Sequence, residues 1–152
     1  MEIRLLQPSQ YEMAQTLMLS VFDACVAPDY APEGVAAFHE FIEQETAALE
    51  LVGAFVNEVL VGVLATMNAR GHIACFFVRG DHQRQGVGRA LWQWMSAHSA
   101  QPCITVNASP GAVSAYARFG FVATGPEQVA DGMRFTPMVA ERSRNDAKTA
   151  GV

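Results

Sequence analysis

Apolar and polar residues alternate along this chain with two periods, and the switches between them mark out strands and helices. Residues 2–6 read as a first strand, closed by Gln7-Pro8. Ser9-Gln10-Tyr11-Glu12 has the spacing of a capping box that opens a helix. Ala14, Leu17, Met18, Val21, Phe22 and Cys25 then recur at helical spacing as one buried stripe. Pro28-Asp29-Tyr30-Ala31-Pro32 breaks that helix. A second starts at Pro32 or Glu33, where proline suits a first helical position. Val35, Phe38, Phe41 and Ile42 form its apolar face, and Glu40, Glu43 and Gln44 its wet one.

Residues 51–56 and 59–67 read as two strands around Asn57-Glu58, a hairpin whose turn lacks the favoured glycine. Arg70-Gly71 is the next turn. Residues 72–78 follow, apolar at nearly every position, as in a strand covered on both faces. Residues 86–99 form a third helix with the stripe Val87, Ala90, Leu91, Trp94, Met95 and His98, which assigns Trp94 to the core. Trp92, two positions away, belongs to another face and covers a flank or a contact with a second copy. Cys103-Ile104-Thr105-Val106 is a short strand, so strand, helix and strand make a right-handed parallel crossover.

Ser109 and Pro110 open a short fourth helix that stops at Gly120. Residues 121–124 and 133–140 are a final antiparallel pair, and Gly125-Pro126 and Asp131-Gly132 bracket the loop between them. From Glu141 the chain is polar without periodicity, so 141–152 is expected to be a flexible tail. The pattern predicts one α/β domain of α+β type over residues 1–140, with a mixed, mostly antiparallel sheet of about seven strands and four helices.

At 152 residues and 51% hydrophobic, the chain suits one domain with a substantial core. No apolar run approaches the roughly 20 residues that span a membrane. The first residues lack a signal-peptide pattern, so a cytoplasmic protein without membrane attachment is expected. The net charge of −5 argues against nucleic-acid binding and is compatible with an amine substrate. The three cysteines, Cys25, Cys75 and Cys103, form no C-x-x-C pair and no zinc-ligand spacing, so no metal is expected. Each lies in an apolar run and reads as a small buried hydrophobe.

The chemistry concentrates in His82-Gln83-Arg84-Gln85-Gly86-Val87-Gly88-Arg89-Ala90-Leu91. A strand, a glycine-bearing turn and a helix start make an anion site. The free N–H groups of the first helical turn and the positive end of the helix dipole point at the ligand. Gly86 and Gly88 let backbone approach it, and Gln83, Arg84, Gln85 and Arg89 add side-chain donors. A Walker loop is excluded because Arg89 and Ala90 follow Gly88 instead of Lys and Ser or Thr. A dinucleotide fingerprint is excluded because Leu91 stands where its third glycine or alanine belongs.

Gln83-x-x-Gly86-x-Gly88 after an apolar strand resembles motif A of the GNAT superfamily of N-acetyltransferases, which bind the pyrophosphate of acetyl-coenzyme A. Tyr116-Ala117-Arg118-Phe119-Gly120-Phe121 is similar to the family's tyrosine-x-x-x-glycine-phenylalanine signature, and Ala112 also matches. The departures are Arg84, where the family often has glycine, and Ser109, where it commonly has asparagine, with Asn107 nearby.

The resemblance implies a sheet splayed between its fourth and fifth strands. The backbone of Phe76, Phe77 and Val78 would bond the pantetheine arm, and Val87 would share the phosphate turn. Asn107 or Ser109 would reach the arm's amides. It implies acetyl-coenzyme A as co-substrate and acetyl transfer to a primary amine of a small molecule by direct attack in a ternary complex. Tyr116 is at the position of the general acid. Phe22, Tyr30 and Phe135, in or beside the variable segments 27–32 and 125–132, are the acceptor-pocket candidates by analogy of fold. His72, Glu33, His39, Glu40 and Asp29 are all available as a base through water, and none stands out. The alternatives are a protein or peptide acetyltransferase and a non-catalytic acyl-coenzyme A sensor. A homodimer is compatible with a chain this small.

Overall fold

Among the described residues, eight strands form an open sheet that four helices cover on both faces, and one strand parts from its neighbour to leave a gap. The computed structural model describes residues 1–142. The expected tail therefore lies outside the described residues, except for two positions. Glu141 pairs with Cys103 and extends the last strand, and the Arg142 N–H donates to the Pro102 carbonyl.

Strand β1 (Glu2–Leu5) pairs antiparallel with β2 (Glu50–Val56), which pairs with β3 (Val59–Met67), which pairs with β4 (His72–Val78). Asn57 and Glu58 make the β2–β3 turn with φ of 50° and 70°, the doubly left-handed form that matches strand twist. The hairpin thus forms without glycine. Helix α1 (Tyr11–Cys25) follows a 3₁₀ turn over Pro8–Gln10, and α2 (Pro32–Glu45) opens on Pro32 as expected. Ser9 does not cap α1. The reciprocal bonds belong to Gln7 and Gln10: the Gln10 N–H donates to the Gln7 carbonyl at 2.8 Å, and the Gln7 N–H to Gln10 Oε1 at 2.8 Å.

Helix α3 (Val87–His98) crosses over from β4 to β5 (Cys103–Ala108). Helix α4 (Val113–Arg118) follows a 3₁₀ turn over Pro110–Ala112. Strands β6 (Val122–Ala123), β7 (Gln128–Ala130) and β8 (Met133–Glu141) finish the sheet, with β8 between β5 and β6. Strand β7 was not expected. Asp131 and Gly132, at φ of 52° and 78°, form a hairpin turn instead of ending a loop, so Gln128 pairs with Phe135.

Helices α1 and α2 cover one face through Leu17, Met18, Val21 and Ile42. Helix α3 covers the other through Val87, Leu91 and Met95. Burial differs from the sequence reading at two of the cysteines. Only Cys75 is buried; Cys25 and Cys103 are exposed. Trp94 is only half-buried, lying flat on His98 at 4.0 Å with the Arg70 guanidinium 5.3 Å above its ring. It still packs against the core, as does the equally half-buried Trp92, which meets Phe119 and Phe121.

A clasp joins the two variable segments. The Ala31 N–H donates to the Gly132 carbonyl at 3.0 Å, and Gly34 of α2 is so close that a Cβ there would stand 2.3 Å from the same oxygen. Alanine normally stabilises a helix by about 1 kcal/mol over glycine. Here the sign reverses, because backbone on both sides must move. Gly34→Ala is expected to destabilise the protein by about 1–3 kcal/mol, read as a lower urea midpoint. A stabilised variant would mean the clasp is not formed.

Candidate active site

Strand β4 stays beside β5 for two residue pairs, His72 with Thr105 and Ile73 with Val106, and then leaves it. A bulge accompanies the departure. Across β3, Cys75 faces Ala65 while Ile73 faces Thr66, so Ala74 is the extra residue. Cys75 and Phe77 therefore turn to the α1–α2 face, and Phe76 and Val78 to the α3–α4 face. From Ala74 to Val78, β4 has a pairing strand on one side only.

Two cavities meet at this gap. The larger, about 830 Å³, is walled by Phe76 and Val78 of β4, by the turn with Gln83, Arg84, Gly86, Gly88 and Arg89, and by α4 with Ser114, Ala115, Arg118 and Phe119. The smaller, about 80 Å³, is walled by Phe22, Val26, Tyr30, Phe38 and Phe77 on one side and by Asn107 and Ser109 on the other. Phe76, Ala112 and Tyr116 line both.

The turn is built as its residues require. Gly86 caps α3 at φ 85°, which an L side chain adopts only with strain. Arg84 takes the same left-handed conformation at φ 63° without being glycine. Gln83 Nε2 donates to the Val78 carbonyl at 3.0 Å and ties the turn to β4. Gln85 donates to the Asp81 carbonyl and does not line the cleft, and Val87 is buried in the core.

Of the described arginines, Arg142 donates to the Ser99 and Gln101 carbonyls, away from the cleft. Arg4, Arg70, Arg79 and Arg134 each have a carboxylate partner. Arg84, Arg89 and Arg118 have none among the described residues, and all three line the larger cleft. Arg118 was not a candidate in the sequence. Its signal was the four-residue spacing from Ser114, which puts both on one face of α4.

Tyr116 is buried on α4 and held by rings. Phe76 lies edge-on at 6.0 Å and Phe121 at 5.2 Å. Burial, with a smaller contribution from Cys75, pushes its phenol well above the ordinary value. Burial also pushes the Cys75 thiol up to about 12, and burial, Asp29 and Cys75 raise Tyr30. None of the five candidate bases lines either cavity. His72 is at the paired end of β4, its Nδ1 2.7 Å from Thr105 Oγ1, and burial lowers its pKa. His39 bonds Asp23, Glu40 accepts from Gln44, Asp29 faces Arg134, and Glu33 abuts Gly132. Phe22 and Tyr30 line the smaller cavity as expected; Phe135, opposite Gln128 in the β7–β8 hairpin, lines neither.

The fold and the sequence both find relatives. A GCN5-related N-acetyltransferase of Rhodopseudomonas palustris is 21% identical with a TM-score of 0.73, covering 92% of this chain and 94% of its own. YjaB of Escherichia coli is 19% identical with a TM-score of 0.75, over 93% and 98%. The PaiA N-acetyltransferase of Thermoplasma acidophilum, solved in complex with coenzyme A, is 16% identical with a TM-score of 0.65, over 92% and 98%. No curated protein matches the chain at a significant level. The family profile described as acetyltransferase (GNAT) domain matches residues 26–142, which takes in the splayed strands, the glycine turn and the Tyr116 helix. On that match, this chain belongs to the GNAT family of acetyltransferases.

Proposed function

We propose that the chain transfers the acetyl group of acetyl-coenzyme A to a primary amine of a small molecule, by direct attack with both substrates bound. The observation that carries this reading is the junction of the two cavities at the β4–β5 gap, with the cleft's three unpaired arginines on one side. A diphosphate suits the start of α3 and the guanidinium groups of Arg84, Arg89 and Arg118, where helix dipole and charge-assisted bonds act together. The amides of a pantetheine arm suit the unpaired edge of Phe76, Phe77 and Val78, where buried backbone needs partners. The coenzyme A bound to the Thermoplasma relative supports the same ligand here.

The acetyl carbon then lies near Tyr116, which lines both cavities. A backbone N–H of the β4 edge stabilises the oxygen that gains charge during attack. The amine nitrogen forms the new N–C bond, the C–S bond breaks, and one proton passes from nitrogen to sulfur. Tyr116 suits the donor's role because its phenol is protonated at neutral pH and lines both cavities. Asn107 and Ser109, on the wall of the smaller cavity, are within the same gap for the arm or the acceptor.

Three experiments test the reading. Tyr116→Phe is expected to lower kcat by about ten-fold or more with the acetyl-coenzyme A dissociation constant nearly unchanged. Unaltered turnover removes Tyr116 from the chemistry. Arg118→Ala and Arg89→Ala are each expected to weaken acetyl-coenzyme A binding by about ten-fold at low salt, and by less at high salt. Arg84→Gly separates binding from folding. It relieves a left-handed side chain worth about 1 kcal/mol and raises Tm by roughly 2–4 °C, yet weakens the same ligand. A variant that binds as before, or melts earlier, refutes the role of Arg84.

A further inference from the structure

The walls of the smaller cavity limit which amines this site can use. Phe22, Tyr30, Phe38 and Phe77 face it and support each other. Phe22 stacks on Phe38 with ring centroids 4.0 Å apart; Tyr30 meets Phe22 edge-on at 5.5 Å, and Phe77 meets Phe38 edge-on at 5.9 Å. Among the described residues, no aspartate, glutamate, histidine or arginine lines the cavity. Its titratable side chains are Tyr30, Cys75 and Tyr116, all pushed up by burial and so all protonated at neutral pH. The nearby charges are engaged elsewhere. Asp29, next to Tyr30, is 3.9 Å from Arg134, whose guanidinium also holds Glu127 at 3.2 Å. His39, edge-on to Phe22, is bound to Asp23 at 2.7 Å.

An alkylamine arrives at neutral pH as an ammonium. In this cavity it would lose water and meet no carboxylate, which is unfavourable for a buried charge. Ring faces attract a cation, but they do not remove the proton that blocks its lone pair. An aromatic amine has neither difficulty. Its nitrogen is uncharged, and its ring packs on rings already in place.

Resting on the acetyl-transfer reading above, we infer that the acceptor is a weakly basic, apolar primary amine, with aromatic amines as the chemical class, and not an alkyl ammonium. The neutral nitrogen attacks the thioester carbonyl directly. Its N–C bond forms as the C–S bond breaks. Tyr116 gives its proton to the departing sulfur and receives the one released by nitrogen, so the products are the arylamide and free coenzyme A thiol, with no other base.

The isomers p-toluidine and benzylamine make the test, since they match in size and differ in charge at neutral pH. With the full chain and acetyl-coenzyme A, kcat/KM for p-toluidine is expected to exceed that for benzylamine by at least about ten-fold at neutral pH. The benzylamine value is expected to climb about ten-fold per pH unit toward its own pKa while the p-toluidine value stays flat. Direct titration with acetyl-coenzyme A is run beside it. If the coenzyme binds and benzylamine reacts as fast or faster at neutral pH, or p-toluidine does not react, the acceptor class is wrong and acetyl transfer stands. If the coenzyme does not bind, both readings fall.

Discussion

Two rungs of pairing hold β4 to β5, and the chemistry of the site follows from what happens after them. A central strand cannot leave its backbone dry and unpaired without losing about 1–3 kcal/mol per group. A sheet that parts from Ala74 onward therefore demands a ligand with amide-like donors and acceptors, or water. The bulge at Ala74 does a second task. It reverses the alternation of every later residue, and so assigns Phe76 to the α3–α4 side and Cys75 and Phe77 to the α1–α2 side. One extra residue thereby gives each cavity its aromatic wall.

Electrostatics divides the molecule along the same line. The chain carries a net charge of −5, yet its larger cleft presents three arginines without acidic partners and the start of a twelve-residue helix. The paired arginines contribute little to stability where they are exposed. The unpaired ones repel one another and gain only when an anion arrives. Arg84 adds to this, since a strained left-handed arginine is retained where glycine would fit more easily. The smaller cavity is the opposite environment, ringed and uncharged.

What was legible in the sequence was local. The turn from Gln83 to Arg89 could be read because glycines, donors and helix start are consecutive, and the Tyr116 helix because its signature is contiguous. The stripes of α1 and α3 followed from helical period, and Trp94 packs against the core as its stripe implies, though only half-buried and stacked on His98; the period did not show that Trp92 also packs inward, against Phe119 and Phe121. Strand β7 was missed because three residues carry no period, though Asp131-Gly132 held the turn signal. The bulge left no mark, because its residue differs from its neighbours in pairing and not in type. Nor could sequence remove His72 from the bases. Only the topology shows that it stands at the paired end of β4, away from the gap.

The two halves of the site therefore depend on different parts of the fold. The cleft is made by short stretches, the end of β4 with its turn and residues 111–119 around α4, each shaped by its own sequence. The smaller cavity is assembled from segments far apart: Phe22 stacks on Phe38 and meets Tyr30 edge-on, and Tyr30 sits between Asp29, which faces Arg134, and Ala31, which is clasped to Gly132. Three residues, Phe76, Ala112 and Tyr116, belong to both. Tyr116 is packed between Phe76 and Phe121, so its ring is held by the core. In the proposed reaction, a change in the smaller cavity's outer walls would alter the acceptor and leave the packing around Tyr116 in place.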